Sequence, residues 1–249
     1  MLKLCATLGM DGGDYQAVEY TGSTIAGLSM TERMTMSNMA AELGAQAGLI
    51  AADGTTADYI RAAGADPDEG KAFAGDEDAA YRVVHKFDAS ALGPQVAAPD
   101  SPANSGPVED ADDAPVDQCY IGACTGAKLE DLHMAAEVLG GRKVASGTRL
   151  LLAPASTRIT AAAAADGTLA KLTEAGAILM PSGCGACAGY GAGVLAEGET
   201  CMASTARNFK GRMGARSSKV YLGSPYTVAA TAVRGRVADP RPFLAENRS

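Results

Sequence analysis

The sequence predicts an α/β protein built on mainly parallel sheets, and three observations carry that expectation. Short apolar runs alternate along the chain with amphipathic segments of helical length, the pattern that layers helices on sheets. Runs such as Leu150 to Ala153 are apolar without alternation, as strands covered on both faces are. Composition agrees: 30 glycines among 249 residues, 47 % apolar residues and only 5 % aromatics describe a Gly/Ala-rich packed protein rather than a disordered or fibrous chain. That length makes one large domain or two modest ones.

The elements follow in order. Ser29-Met30-Thr31-Glu32 is a capping-box pattern ahead of Met30, Met34, Ala40 and Leu43, which predicts a helix from Met30 to Gln46, with Gly48 as its stop. Leu49 to Ala51 reads as a short strand, Thr56–Ala63 and Asp76–Arg82 as helices, and Val83–Phe87 as a strand. Between Phe87 and Cys119 lie Pro94, Pro99, Pro102, Pro107 and Pro115 with the acids Glu109, Asp110, Asp112 and Asp113, a composition that predicts an extended connector between two folded parts. Beyond it the pattern predicts strands at Cys119–Ala123, Arg149–Ala153, Ile178–Pro181, Thr200–Ser204 and Val220–Leu222. Helices are predicted at Leu129–Leu139, Arg158–Ala165, Leu169–Glu174 and Tyr226–Val233. The domain expectation is therefore 1–95, a linker over 96–118, and 119–249.

Charge and cysteine content exclude several function classes. A formal net charge of −8 argues against a chain whose work is to coat nucleic acid or an anionic membrane. No apolar run approaches the roughly 20 residues of a spanning helix, and the start MLKLCATLGMDGG has too short an apolar core for a signal peptide, so a cytoplasmic location is expected. In that compartment six cysteines point to metal binding or catalysis rather than to disulfide staples.

The chemistry-bearing residues fall in turns that follow predicted strands, where open parallel sheets place their ligands. The first turn, Ile121-Gly-Ala-Cys124-Thr-Gly126, sets a thiol near a helix start, which favours its thiolate, although a small buried cysteine would fit the same turn. The second, Pro181-Ser-Gly-Cys184-Gly-Ala-Cys187-Ala-Gly189, is a C-x-x-C among small residues; it suits a redox dithiol, half a zinc site or part of an iron–sulfur cluster. Cys119, His133 and Cys201 are candidate further zinc ligands, each with a plainer explanation as an apolar-strand or mid-helix residue. The third turn runs from Ser204 to Gly214. From Cys201 to Ala238 the basic residues Arg207, Lys210, Arg212, Arg216, Lys219, Arg234 and Arg236 meet no acid, a local sign reversal that suits an anion, and Arg207 and Arg212 are spaced to converge on a small polyacid. A solvated basic loop would show the same charge.

Taken together these stretches resemble the aconitase superfamily, most closely the large subunits of the isopropylmalate dehydratase, homoaconitase and dimethylmalate dehydratase group. The matching segments are SMTERMTMSNMAAELGAQAGL, PQVAAPDSPANSGP, IGACTGAKLEDL, PSGCGACAGYGAGVLAEGET and STARNFKGRMG, in order along nearly the whole chain. The resemblance implies two three-layer α/β/α domains. It implies a [4Fe–4S] cluster on Cys124, Cys184 and Cys187, a catalytic Glu42, and substrate contacts from Arg207, Arg212 and Asn38. It also implies reversible dehydration of a small hydroxy-di- or tricarboxylate. Its implied partners are a small subunit carrying the swivelling domain and a separate chain for the first α/β domain. The chain departs from the family pattern at Gly126 and Ala206, where relatives carry asparagine. Competing readings are an iron–sulfur protein without turnover, an inactive fragment, and a zinc-bound structural module.

Overall fold

The computed structural model describes residues 1–68, 75–76 and 78–246. Its centre is a seven-stranded sheet of β3 (Gln95–Ala97), β4 (Ser105–Pro107), β5 (Gln118–Gly122), β6 (Arg149–Ala153), β7 (Ala177–Leu179), β8 (Thr200–Ala203) and β9 (Lys219–Leu222). The spatial order is β4-β3-β9-β8-β5-β6-β7. From β9 to β7 every pairing is parallel, and the β3–β4 and β3–β9 pairings are antiparallel.

The apolar runs form the sheet for the reason their pattern suggests. In β6, Leu150 and Leu152 face one side and Leu151 and Ala153 the other, and all four are buried. The first face is covered by α6 (Leu129–Leu139), α7 (Thr157–Ala165), α8 (Thr168–Glu174), α9 (Pro225–Arg234) and α10 (Arg241–Glu246), and it contains the larger core. The second face is covered by the segments around Ala186, Leu195 and Met213 and by Leu2 of α1 (Leu2–Leu8), so here irregular backbone stands where a symmetric sandwich has helices. That irregular layer carries the C-x-x-C.

Helix starts obey their local chemistry. Ser156 caps α7 through Ile159 N–H, and Ser224 caps α9 through Thr227 N–H with Pro225 in its first turn, each bond 3.2 Å long. The Ser29/Glu32 capping box forms as the sequence predicts and opens α3 (Met30–Asn38). The helix ends earlier than Gln46, however. It tightens to a 3-10 turn over Met39–Leu43 and stops at Gly44, whose left-handed φ of 72° and close approach to the Met10 carbonyl suit glycine alone.

The amino-terminal part is thin. It holds β1 (Ala17–Glu19) and β2 (Ala47–Leu49), paired in parallel, with α1, α2 (Ser23–Ala26), α3 and α4 (Gly54–Ala62) around them. Arg33, buried on α3, donates to both Asp53 oxygens at 2.6 and 2.7 Å, and Asp53 caps α4 through Thr56 N–H, so one carboxylate joins the two helices.

Three further expectations are corrected. The segment 96–118 is no free linker: β3 and β4 are edge strands of the large sheet, their ladder completed by residues about ten apart across a turn at Asp100 to Asn104. Val83–Phe87 forms no strand. Of the expected helix Asp76–Arg82, Glu77 lies outside the described residues, and the others carry no helix.

Candidate functional site

The three expected turns all open on the same end of the sheet. Parallel β5 delivers Cys124 at its carboxyl end on α5 (Ala123–Gly126), and parallel β8 delivers Ser204 and then Arg207 beside it. The two turns touch directly. Ser204 Oγ accepts from Gly122 N–H at 3.2 Å and donates to the Gly126 carbonyl at 2.9 Å. A Cβ on Gly126 would lie 2.3 Å from the Ser204 carbonyl oxygen, so this position excludes any side chain.

Beyond β7, Cys184 and Cys187 sit on a 3-10 turn over Gly185–Ala188, closed by Cys187 N–H donating to the Cys184 carbonyl at 3.0 Å. Tyr120 of β5 donates its hydroxyl to the same carbonyl at 3.4 Å. Arg212 Nε donates to the Cys187 carbonyl at 2.9 Å, fixing the arginine turn on the cysteine turn. Cys124 and Cys184 are exposed and Cys187 is half-buried. Burial pushes the Cys187 thiol up, the Arg212 guanidinium pulls it back, and the Cys124 and Cys184 thiols push it further. The three thiols and the two arginines therefore share one electrostatic neighbourhood.

The amino-terminal part closes this neighbourhood from the other side. Asn38, the last residue of α3, donates Nδ2–H to Cys124 Sγ at 3.4 Å and accepts from Thr125 Oγ1 at 3.1 Å. Glu42, 2 % exposed, accepts from Arg207 Nε at 2.5 Å, and the carboxylate in turn holds the guanidinium firmly charged. Among the described residues the terminal nitrogens of Arg207 and Arg212 have no protein acceptor, so both forks are anchored by Nε with their ends open. An arginine so held is preorganised to take a carboxylate bidentately.

Every site residue expected from the sequence thus lies in one cluster: Asn38, Glu42, Cys124, Cys184, Cys187, Arg207 and Arg212. The other candidates lie elsewhere. Cys119 and Cys201 are fully buried in β5 and β8 on opposite faces of the sheet, and His133 pairs at the surface with Asp166 at 2.8 Å. Among the described residues no three His, Cys, Asp or Glu side chains converge as the ligands of a single metal ion. Two exposed thiols and one half-buried thiol in one neighbourhood, with an amide donor on one sulfur, nearby cations and no fourth ligand among the described residues, instead suit a larger inorganic group with one open corner. Sequence reading missed Thr35, Lys128 and Ser204, which hold the turns rather than face the opening. The one signal for them was a lysine at the start of α6, where a short oxygen-bearing side chain is the usual cap.

Fold and site together define an α/β protein with a trithiol, two-arginine centre at the carboxyl ends of parallel strands. The chain belongs to the aconitase family: the family model for aconitase (aconitate hydratase) matches residues 1–114 and 106–235. It is 45 % identical over 244 residues to 3-isopropylmalate dehydratase large subunit 1 of Methanopyrus kandleri, covering 98 % of this chain and 58 % of that protein. It is 44 % identical over 247 residues to the 3-isopropylmalate dehydratase large subunit of a Sulfurovum species, covering 97 % and 58 %. A Methanothermobacter thermautotrophicus protein named "Probable methanogen homoaconitase large subunit" is 42 % identical over 241 residues, covering 97 % and 56 %. The chain therefore spans rather more than half the length of these relatives. No helix among the described residues is long and apolar enough to cross a membrane.

Proposed function

We propose that this chain is the cluster-holding part of a hydro-lyase that dehydrates and rehydrates a small hydroxy-di- or tricarboxylate of the isopropylmalate or homocitrate kind. The observation that carries the reading is the shared opening of three thiols with two anchored, open-ended arginine forks, beside a carboxylate that faces them from α3's end of the chain. Cys124, Cys184 and Cys187 would hold a [4Fe–4S] cluster, which supplies Lewis acidity toward the hydroxyl that leaves.

The chain's own residues do the rest. Arg207 and Arg212 bind substrate carboxylates through their terminal nitrogens and fix the carbon skeleton over the thiols. Glu42 spends Oε1 on Arg207, and Oε2 has no protein donor among the described residues; it accepts a hydrogen bond from the substrate hydroxyl, which leaves with its proton as hydroxide while a base of the partner part takes the proton of the neighbouring carbon, and hydration reverses both transfers. Asn38 keeps its second amide hydrogen for substrate while its first steadies Cys124. The buried face of Tyr120 and the close Gly126–Ser204 contact exclude water from beneath the opening. The relatives' names as large subunits support a small-subunit partner that completes the site.

The test is anaerobic iron and sulfide analysis with EPR on the reconstituted chain and on Cys184→Ser, followed by dehydratase assays with isopropylmalate and homocitrate in the presence of a relative's small subunit. A four-iron signal lost in the variant and turnover in the complex are expected. Zinc without sulfide overturns the cluster assignment. A full cluster with no turnover on either acid would favour the second reading, an iron–sulfur protein without turnover. That reading has its own observation: at Gly126 the packing leaves no room for the asparagine that the family pattern carries there.

A further inference from the structure

Lys128 is buried to within 8 % of full exclusion from solvent, and every proton of its ammonium has an acceptor close by. Nζ donates to the Thr125 carbonyl at 2.5 Å, to Thr35 Oγ1 at 3.0 Å and to the Cys124 carbonyl at 3.2 Å, with Asp131 Oδ2 at 3.4 Å. In the helix that follows, the cation's one partner is the buried Asp131 carboxylate, the longest of its four contacts. Lys128 occupies the cap of α6, where a positive charge opposes the helix dipole, and the capping acceptor there is Asp131, which takes Lys128 N–H at 2.8 Å. Its three shorter contacts go to the turn before the helix and to the helix across from it. Thr35 and Asn38 lie one turn apart on α3, and both reach the same short segment. Thr35 donates to the Thr125 carbonyl at 2.9 Å, and Asn38 binds Cys124 Sγ and Thr125 Oγ1. The contact thus has two levels, an outer one made by an amide on sulfur and an inner one made by a buried ammonium among carbonyls.

We propose that Lys128 is a positioning residue for Cys124: its ammonium ties the Cys124–Thr125 carbonyls to Thr35 and so sets the Cys124 thiol against Asn38 and toward Cys184 and Cys187. The catalytic meaning of that placement rests on the function proposed above, while the placement itself concerns only the chain's own side chains. Without the ammonium, the Cys124 carbonyl loses its donor and the Thr125 carbonyl keeps only Thr35, so the turn loosens and the cysteine it carries moves out of register. Arginine keeps the charge and several donors, and so retains part of the link.

The experiment uses the full chain without cluster, alkylated at fixed pH by iodoacetamide under native conditions, with each cysteine followed by mass spectrometry. Lys128→Met is expected to raise the alkylation rate of Cys124 about fivefold, the worth of one net hydrogen bond, while Cys184 and Cys187 stay within about twofold of the parent. Lys128→Arg is expected to restore most of the parental rate. Thr35→Val, which leaves the charge in place and removes both the acceptor for Nζ and the hydroxyl donor on the Thr125 carbonyl, is expected to shift Cys124 in the same direction and serves if Lys128→Met does not fold. An unchanged Cys124 rate in either variant overturns the proposal, as does a rise shared equally by all three cysteines. Because the readout needs no iron, a chain that never takes up a cluster would defeat the proposed function and leave this assignment standing on its own measurement.

Discussion

The two halves of the cluster of site residues come from parts of the molecule built in different ways. The sheet part carries the cysteines and arginines at the ends of strands of which β5, β6, β8 and β9 bury their apolar side chains on both faces, with β7 at the more exposed edge. The amino-terminal part brings Asn38 and Glu42 on one helix and its 3-10 extension, behind which, among the described residues, Cys5, Tyr20, Met39, Ala40 and Leu43 form the buried apolar set. It is joined to the sheet part near the site by polar links: Ser29 to Glu130, Thr35 and Asn38 to the Cys124 turn, and Glu42 to Arg207. The stiff part fixes where the thiols are, and the thin part reaches them through hydrogen bonds whose net worth is small individually. The difference teaches that this site is assembled as an interface, whose two sides have unequal resistance to opening.

The largest test of that contrast compares two leucines of similar burial. Leu152 and Leu43 are both at most 1 % exposed, and truncating either to alanine is expected to cost about 2–5 kcal/mol. The costs should fall in different places. Leu152→Ala is expected to lower the urea midpoint of the whole sheet, whereas Leu43→Ala speeds amide exchange in residues of α3 and α4 and leaves β5, β6 and β8 protected. Equal loss of protection in both parts for Leu43→Ala would show that they unfold as one body.

Next come two changes at the seam. Arg207→Ala leaves the buried Glu42 carboxylate without its cation, and because the arginine side chain is 38 % exposed the cost is discounted to about 1–3 kcal/mol. Glu42→Gln in the same background is expected to recover much of it, since the uncompensated charge is then gone; thermal unfolding of the two variants decides this. Gly126→Ala drives a methyl to 2.3 Å from the Ser204 carbonyl oxygen and is expected to cost about 1–3 kcal/mol by overpacking between the Cys124 and Arg207 turns. A neutral Gly126→Ala would mean that the two turns move apart freely.

The same contrast explains what the sequence made legible. In the sheet part, α6 and β6 fall on their expected residues, Leu129–Leu139 and Arg149–Ala153, because long apolar runs and helix caps are local signals. Five of the seven clustered site residues were legible because glycine-rich turns after parallel strands open on one edge of a sheet, whereas Asn38 and Glu42, on α3 and its 3-10 extension, were expected only through the family resemblance. Of the three-residue strands, β7 overlaps the expected Ile178–Pro181 and β2 ends where the expected Leu49–Ala51 begins, whereas β1, β3 and β4 were not legible. β1 and β2 pair across 30 residues, and β3 and β4 lie in a proline-rich stretch where Pro107 ends an edge strand without breaking a ladder, so neither pair carries a periodicity long enough to read. Nor was the role of Lys128, since its partners come from α3 and from the backbone of a turn, and only the fold brings them together.

The smallest expected effect concerns acid, and it again separates the two parts. Arg33 holds the Asp53 carboxyl down to about 2, first by its hydrogen bonds and then with help from the Thr56 amide. A carboxyl whose folded value lies below its unfolded value of about 3.9 contributes stability above that pH, and the contribution drains away as pH falls through about 4 toward 2. The Asp53 side chain is 40 % exposed, so solvent screening keeps the effect below about 1 kcal/mol. Asp166 is held equally low by Thr168 and His133, yet it joins α7 to α8 on a single face of the sheet and touches nothing in the amino-terminal part. Amide exchange across this range is therefore expected to show α4 and the start of α3 loosening first, with Asp53→Asn loosened already at neutral pH and converging on the parent near pH 2, and with Asp166→Asn leaving α3 and α4 unchanged. If α3 and α4 keep parental protection in Asp53→Asn at neutral pH, the thin part is held by its small apolar set rather than by its charges, and the polar links at the site then rest on a firmer base than the contrast assigns them.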